Sequence, residues 1–168
     1  MAELAPRERL QPSLLDRLTD FEPDVAVEAR ERRVLSVRAL REGVLRDLAW
    51  LFNTTNLAST GGLPDLPHLA ASVLNYGLPA ISGVSLANMN TADLERAIGQ
   101  AIRDFEPRLL PSSVTVTAVA TRDAVSKITF DIHADMWAQP YPERLYLKTE
   151  LDLDLGQLSL VDTDAARS

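Results

Sequence analysis

The hydrophobic pattern of this 168-residue chain changes its period once, from about 3.6 residues to two. Up to residue 105 the apolar side chains recur at helical spacing, and from residue 114 onward they alternate with polar ones. Alternation is typical of strands with one buried and one solvated face. A helical half followed by a strand half predicts an α+β domain, in which about three helices pack on one face of a small antiparallel β-meander.

Three helices are predicted in the first half of the domain. The first covers residues 34–53, where the buried stripe comprises Val37, Leu40, Val44, Leu48 and Leu51. A shorter helix covers residues 67–75, and Gly77 suits a left-handed cap at its end. The third helix begins at Asn90, a favourable N-cap residue, and Pro107 ends it.

Three strands are predicted in the second half, beginning near residues 114, 128 and 145, with a tight turn at 122–124. The third strand, 145–154, is predicted to be the terminal edge strand. Its wet face carries Glu150, Asp152 and Asp154. An edge strand is a template for another chain; charges there usually prevent association, but they also select a basic partner strand. We therefore predict that these three acids bind another protein.

The first 33 residues carry three prolines and many charges, which predicts a docking tail and linker ahead of a domain at 34–162. Residues 163–168 are predicted to be a C-terminal tail. Ser13 can cap a short helix whose apolar side comprises Leu14, Leu15 and Leu18. Because so short a helix is unstable alone in water, it must dock on its own domain or on a partner.

Composition excludes several functions. A formal net charge of −7 argues against nucleic-acid binding, and the absence of cysteine excludes disulfides and thiolate chemistry. Residues 66–92 carry no charge, but prolines, glycines and asparagines interrupt them, so we predict no membrane span. The N-terminus lacks the apolar run of a signal peptide, and the expected location is cytoplasmic.

Catalytic and metal-binding patterns are weak in this sequence. Asp131, His133 and Asp135 share one strand face, where they are either ligands or an acid–base set, or simply the polar residues that a wet face needs. Glu106 resembles a glycosidase acid only if a second carboxylate lies across a cleft. We find no nucleophile elbow and no phosphate loop, so we predict no enzyme activity, no metal and no cofactor.

The stretch Glu106-Pro107-Arg108 is the most unusual in the chain. Pro107 pushes Glu106 out of the helical conformation where the third helix ends. The Arg108 guanidinium can then engage a carboxylate with two hydrogen bonds. The alternative is a weak, exposed ion pair, and composition does not decide between the two.

Four stretches, in order, resemble the TssE family, the baseplate subunits of bacterial type VI secretion systems, similar to the lysozyme-like wedge protein of contractile-phage baseplates. They lie at residues 12–18, at 45–54, at 72–79 together with Ser82 and Gly83, and at 102–109. The sequence departs from the family pattern twice, with Thr55 in place of an arginine and Ala80 in place of an aspartate.

The resemblance implies a structural protein that joins the baseplate wedge and templates polymerisation of the contractile sheath, without lysozyme activity. Its implied partners are other wedge subunits and sheath subunits, at the inner face of the membrane. Glu106, Pro107 and Arg108 are implied to contact the wedge core, and Leu14, Leu15 and Leu18 another baseplate subunit. Two other functions remain open: a peptidoglycan hydrolase using Glu106 with Asp131 or Asp135, and an adaptor that binds peptides by strand addition.

Overall fold

The computed structural model describes residues 13–19, 24, 36–61, 63, 68–80, 90–119, 127–137 and 142–163. The described helices are α1 (Leu14–Leu18), α2 (Val37–Phe52), α3 (Ala58–Gly61) and α4 (Thr91–Phe105). The strands are β1 (Thr115–Val119), β2 (Lys127–Met136), β3 (Glu143–Asp152) and β4 (Gln157–Asp162). Two 3₁₀ turns lie at Val73–Asn75 and Pro111–Ser113. This architecture confirms the α+β prediction.

The four strands form one antiparallel meander in the order β1-β2-β3-β4. Ile132 of β2 lies opposite Leu147 of β3, and Glu150 of β3 lies opposite Ser159 of β4. The side chains of β2 and β3 that point to one face are buried, as period-two alternation requires. The two central strands therefore carry most of the sheet's contribution to the core.

Helices α2 and α4 complete the core, and each begins at a side-chain cap. The sequence predicted the cap at Asn90, whereas α2 begins at Val37, after Ser36, and not at residue 34 as predicted. The Ser36 hydroxyl accepts the Ala39 N–H at 3.1 Å, and the Asn90 amide oxygen accepts the Ala92 N–H at 3.1 Å. Their inward stripes are buried against the sheet, and the fully buried side chains include Val44, Leu48, Ile98, Ile102 and Phe130.

The structure has a fourth strand that the pattern did not predict, and the prediction that residues 145–154 form the terminal edge is wrong. Strand β3 is an inner strand, and the chain turns at 153–156, where Gly156 adopts φ +63°. The Asp152 carboxylate accepts the N–H groups of Asp154 and Leu155, both at 3.0 Å, and so closes the turn. Leucines and aspartates keep alternating through this turn, which hides it in the sequence.

The helix predicted at 67–75 is also wrong. Residues 68–71 form turns, and only Val73–Asn75 makes a single 3₁₀ turn. Side chains satisfy the backbone here: Ser72 Oγ donates to the Leu69 carbonyl at 2.9 Å, and Asn75 Nδ2 donates to the Ala70 carbonyl at 2.8 Å. Such bonds compete with helix formation. Helix α3, in turn, lies in a segment predicted to be a loop.

Gly77 joins two of the sequence stretches that carried the family resemblance. Leu78 N–H donates to the Thr54 carbonyl at 2.8 Å, and Asn56 N–H donates to the Leu78 carbonyl at 2.9 Å. Gly77 adopts φ +121° so that the backbones approach this closely, as predicted for a glycine needed at positive φ, though no helix ends there. Thr55 takes part in the same bridge to Leu78.

Several sequence predictions fall outside the described residues: the linker at 28–33, the turn at 122–124, most of the C-terminal tail, and Ser82 with Gly83. Of the uncharged stretch, residues 68–80 and 90–92 are described. Within the described ranges, no helix has both the length and the apolar character that a membrane crossing needs.

Candidate functional site

The end of helix α4 turns the Glu106 side chain into the protein. Glu106 is the C-cap residue, and its N–H still donates to the Ile102 carbonyl at 2.9 Å. Its backbone then leaves the helical region, at φ −117° and ψ 81°, as the following Pro107 requires. Only 3% of Glu106 is exposed. A carboxylate buried this deeply needs a partner.

Arg108 supplies that partner. It forms the bidentate pair that was one of the two alternatives left open by the sequence. Its Nε donates to Glu106 Oε1 at 2.6 Å, and its Nη2 donates to Glu106 Oε2 at 2.5 Å. The Arg108 backbone N–H donates to the same Oε1 at 3.1 Å. The alternative of a weak, exposed pair is therefore wrong, because the pair is bidentate and largely buried.

The end of strand β2 holds the segment that follows Glu106 in place through hydrogen bonds. The Arg108 carbonyl accepts the Trp137 N–H at 2.7 Å, and Leu110 N–H donates to the Asp135 carbonyl at 2.9 Å. The Ser113 hydroxyl accepts the Asp135 N–H at 2.8 Å. The segment after Pro107 is thus paired with the end of β2, so the orientation of Arg108 is set by backbone hydrogen bonds.

Asp47 on helix α2 extends the ion pair into a network. Arg108 Nη2 donates to Asp47 Oδ2 at 2.6 Å, and Arg46 Nε donates to Asp47 Oδ1 at 2.8 Å. Arg46 Nη1 then donates to Asp16 Oδ1 of α1 at 2.6 Å. Opposite charges alternate along the whole network, which links α1, α2 and the end of α4. We call this set of five residues the ion network.

The ion network shifts the pKa values of its members. Burial acts to lower the pKa of Arg108, but the hydrogen bonds and charge of Glu106, and then of Asp47, outweigh it and raise that pKa. Burial acts to raise the pKa of Asp16, but hydrogen bonds from Ser13 and Arg46 outweigh it, so that pKa is lowered. The charged forms of Arg108 and Asp16 are therefore favoured.

A groove of about 480 Å³ opens beside the ion network. Its walls include Leu15, Trp50, Tyr76, Phe105 and Pro107. Tyr76 and Phe105 meet edge to face, with ring centroids 5.3 Å apart. Trp50 is 52% exposed and the Arg46 guanidinium lies over its ring, 5.3 Å from the centroid. The groove thus presents apolar side chains next to the buried charges of the ion network.

Helix α1 contacts its own domain through Asp16, has Leu15 on the wall of the groove, and leaves Leu14 and Leu18 outside. Ser13 accepts the Asp16 N–H at 3.4 Å, as predicted for its cap, and also donates to Asp16 Oδ2 at 2.6 Å. Leu14 and Leu18 are more than 70% exposed, and Leu15 is 41% exposed. Helix α1 therefore contacts its own domain, and the docking of its leucines on a partner stays a prediction.

The acid of α1 gives the first testable prediction. The folded state holds the Asp16 pKa below its unfolded value of about 3.9, so the attachment of α1 is complete above that pH and is lost as the pH falls through the lower, folded value. In a Trp137→Phe background, Trp50 fluorescence should report this release in acid. The Asp16→Asn variant should show, already at neutral pH, the Trp50 spectrum that the parent shows after α1 has been released in acid.

The control for this prediction is Asp104→Asn, which removes an exposed acid of α4 bonded to Gln100. It should keep both the neutral spectrum and the acid transition of the parent. If Asp16→Asn kept them too, the ion contact to Arg46 would not be what holds α1 in place.

The predicted acidic site lies elsewhere in the molecule, at the β3–β4 hairpin. Glu150 pairs with Lys127 at 2.5 Å, Asp152 caps the turn, and Asp154 is exposed within it. None of the three belongs to the ion network. Their role in binding another protein remains a prediction.

Two of the candidate metal and acid–base residues, His133 and Asp135, have ordinary partners. His133 meets Tyr146 edge to face at 4.9 Å, and Asp135 lies 3.6 Å from Arg144. His68 is exposed in a turn. Among the described residues, no three histidine or carboxylate side chains cluster as metal ligands would.

The sequence did not indicate Asp47, Arg46 or Asp16 as site residues. Asp47 lies 61 positions before Arg108, and Arg46 lies 30 positions after Asp16. In the helical pattern, Arg46 and Asp47 are simply the polar side of α2. All three nevertheless lie in the stretches at residues 12–18 and 45–54 that carry the family resemblance.

The comparisons with known proteins identify the class of this protein: it is a phage-tail-type baseplate wedge protein. The model of the baseplate wedge protein gp25 family matches residues 38–141, more than half of the chain, so the chain belongs to that family. The match includes α2, α4, the Glu106–Arg108 junction and the first two strands. No curated protein matches. No solved structure matches either.

Proposed function

We propose that this protein is a non-enzymatic subunit of a type VI secretion baseplate, which joins the wedge and templates polymerisation of the contractile sheath. Family membership supports the structural baseplate role. The four ordered stretches, at residues 12–18, at 45–54, at 72–79 with Ser82 and Gly83, and at 102–109, support the type VI assignment, because they resemble the pattern of its TssE subunits. The proposed location is the cytoplasmic face of the inner membrane.

The observation that carries the proposal is the burial of Glu106 in a bidentate pair at the junction of helices and sheet. Both of its carboxylate oxygens accept bonds from Arg108. Glu106 and Arg108 therefore act as positioning residues that hold the neighbouring surface in shape. Exposed Pro107 and half-exposed Trp50, on the walls of the groove, are the groups we propose to meet another wedge subunit.

The same burial argues against a peptidoglycan hydrolase. A glycosidase acid must deliver a proton to a substrate oxygen in an open cleft, opposite a second carboxylate. Glu106 is instead enclosed and bound to a guanidinium, and the carboxylate nearest along the ion network, Asp47, binds the same Arg108. An arrangement of this kind holds helices together, and it leaves neither Glu106 nor Asp47 available to donate a proton to a substrate.

Helix α1 and the hairpin acids complete the proposed contacts. Leu14, Leu15 and Leu18 form an apolar surface that we assign to another baseplate subunit. Glu150, Asp152 and Asp154 lie at the end of the β3–β4 hairpin, and we assign them to a basic surface of a sheath subunit.

Replacing Leu14 and Leu18 by serine tests the proposal. Because both side chains are exposed, the free energy of unfolding should change by no more than about 0.5 kcal/mol. In a strain lacking the native gene, the double variant should fail to co-purify with wedge subunits and should form few sheaths. Fluorescent sheath counts and mass spectrometry of the purified complex measure the two effects.

The matched control is Leu155→Ser, which removes a leucine 69% exposed in the β3–β4 turn. It should recover the wedge subunits normally. If the gene deletion itself left sheath assembly intact, the proposed function would be wrong, whatever the variants do.

A further inference from the structure

Helix α1 is too short to hold its own conformation. It comprises five residues, Leu14–Leu18, and so short a helix is unstable in water, because nucleation fixes several residues for a single hydrogen bond. The turn is nevertheless formed, since the Thr19 N–H donates to the Leu15 carbonyl at 3.0 Å. A contact outside α1 must therefore hold the helix, and that contact controls what the helix presents.

The contact that holds α1 is polar and lies at Asp16. The Ser13 hydroxyl binds Asp16 from within the segment, and Arg46 Nη1 of α2 donates to Asp16 Oδ1 at 2.6 Å. The Asp16 side chain is only 19% exposed, so salt screens this pair less than it screens a surface pair. The leucines contribute less, because Leu14 and Leu18 remain more than 70% exposed.

A glycine of α2 lets Asp16 approach a second guanidinium. A Cβ on Gly43 would lie 3.5 Å from Asp16 Oδ2 and 3.5 Å from Arg108 Nη1, so both groups border the space beside Gly43. Arg108 Nη1 is buried and has no hydrogen-bond partner among the described residues. A methyl group would just fit beside these two groups, whereas a larger side chain would displace one of them. Helix α1 therefore docks beside Arg108 as well as on Arg46.

The docked helix turns its apolar side outward. Leu14 and Leu18 are one helical turn apart and share a face. Asp16 is two positions from each of them, which places its side chain on the opposite face, towards α2. A partner that binds these leucines therefore meets a helix that is already formed. Its binding free energy does not include the cost of forming that helix.

The exposed leucines suit a baseplate subunit better than a second copy of this chain. Two leucines on a five-residue helix cover far less than the roughly 1,200 Å² that a stable dimer buries. Two copies would also each bring a formal net charge of −7. In a baseplate, by contrast, the leucines supply only one of the several contacts that we propose.

We infer that Asp16 is a positioning residue for the partner contact of α1. Held by Arg46 beside Arg108, it keeps the leucines of α1 in the helical arrangement that a baseplate subunit binds. The inference rests on the proposed function, since its partner is the subunit assigned there to these leucines. It adds that the ion network sets the affinity of a contact to which the network itself contributes no surface.

Asp16→Asn tests the inference in the full-length protein. The probe is the wedge complex purified from a strain that lacks the native gene, immobilised for biolayer interferometry. The dissociation constant should rise about tenfold or more, because only molecules with a helical α1 bind well. The midpoint of urea unfolding should stay that of the parent, since no described side chain of α1 belongs to the buried core.

Two further variants are controls for the charge. Asp16→Glu keeps the carboxylate and should bind the wedge complex nearly as tightly as the parent does. Asp104→Asn removes an exposed acid of α4 and should leave the dissociation constant unchanged. If Asp16→Glu bound as weakly as Asp16→Asn, the charge at this position would not be what holds α1, and the inference would be wrong.

Hydrogen exchange of the free protein distinguishes positioning from direct contact. The Thr19 amide, which is bonded to the Leu15 carbonyl, reports how often α1 is helical. Asp16→Asn should speed the exchange of this amide. Weaker binding of the wedge complex with unchanged exchange at Thr19 would mean that Asp16 touches the partner itself, which contradicts a positioning role.

The remaining outcomes separate the inference from the proposed function. If the parent protein did not bind the wedge complex, the proposed function would be wrong, and the inference with it. If the parent bound and Asp16→Asn bound equally well, the inference would fail and the proposed function would stand. Tighter binding by Asp16→Asn would show that docked α1 covers the groove against the partner, which also overturns the inference.

Discussion

Arg108→Ala is expected to lower the free energy of unfolding by about 3–5 kcal/mol. The substitution leaves Glu106 with 3% exposure and no counter-charge, and it removes one of two arginines that bind Asp47. Removing one member of a buried pair costs far more than the pair itself contributes, because a desolvated charge remains. Urea unfolding at neutral pH measures the change.

Arg96→Ala is the matched control for this prediction. Arg96 forms an exposed pair with Asp93 on the same helix, three residues away. Its loss should cost no more than about 1 kcal/mol. Equal losses for Arg96→Ala and Arg108→Ala would contradict the buried-pair account.

The expected loss of stability also affects how an assembly defect of a variant at this site is interpreted. A defect seen with Arg108→Ala combines unfolding with any loss of a partner contact, since Arg108 positions the groove instead of forming its surface. An assembly assay of such a variant reports on the partner contact only at temperatures below the melting temperature of that variant. Substitutions at exposed Pro107 or Trp50 report on the partner contact with less effect on the fold.

Gly77→Ala is the second substitution with a large expected effect, about 3 kcal/mol or more. A Cβ at Gly77 would lie 2.3 Å from the Thr54 carbonyl oxygen, and the backbone holds φ +121°. The obstacle is backbone, which is fixed by the bonds between Leu78, Thr54 and Asn56. Relief would separate the loop after α2 from the segment around Gly77. Thermal and urea unfolding measure the loss.

Gly61→Ala is the control, because no non-neighbouring atom of the described residues lies within 4 Å of a Cβ placed there and Gly61 ends α3. Alanine is a better helix former than glycine, so this variant should be neutral or up to about 1 kcal/mol more stable. If the Gly77→Ala and Gly61→Ala proteins were equally stable, the loop after α2 and the segment around Gly77 could move apart without loss of stability. The steric account of Gly77 would then be wrong.

The ion network also predicts how the site responds to a change in pH. Opposing charges hold the pKa of Arg108 above its ordinary value, so this arginine keeps its charge across the physiological range. Asp16 loses its charge only in acid, below its unfolded pKa. Among the groups with shifted pKa values, α1 is thus the part of the site that acid releases first.

Local sequence signals determined much of the fold. The period of the apolar residues located α2, α4 and the first three strands, because one buried face imposes that period directly. Ser13 and Asn90 marked helix starts because a cap is satisfied within three residues. Pro107 marked the end of α4 for an equally local reason.

Tertiary structure decided the rest, because the contacts join positions far apart in the chain. Glu106 and Arg108 were visible as a pair, but their burial depends on α2 and the end of β2. The fourth strand was hidden because the alternation continues through its turn, and it moved the sheet's edge from β3 to β4. Asn53, at the end of α2, closes part of that edge from 105 residues away, a distance at which local pattern carries no information.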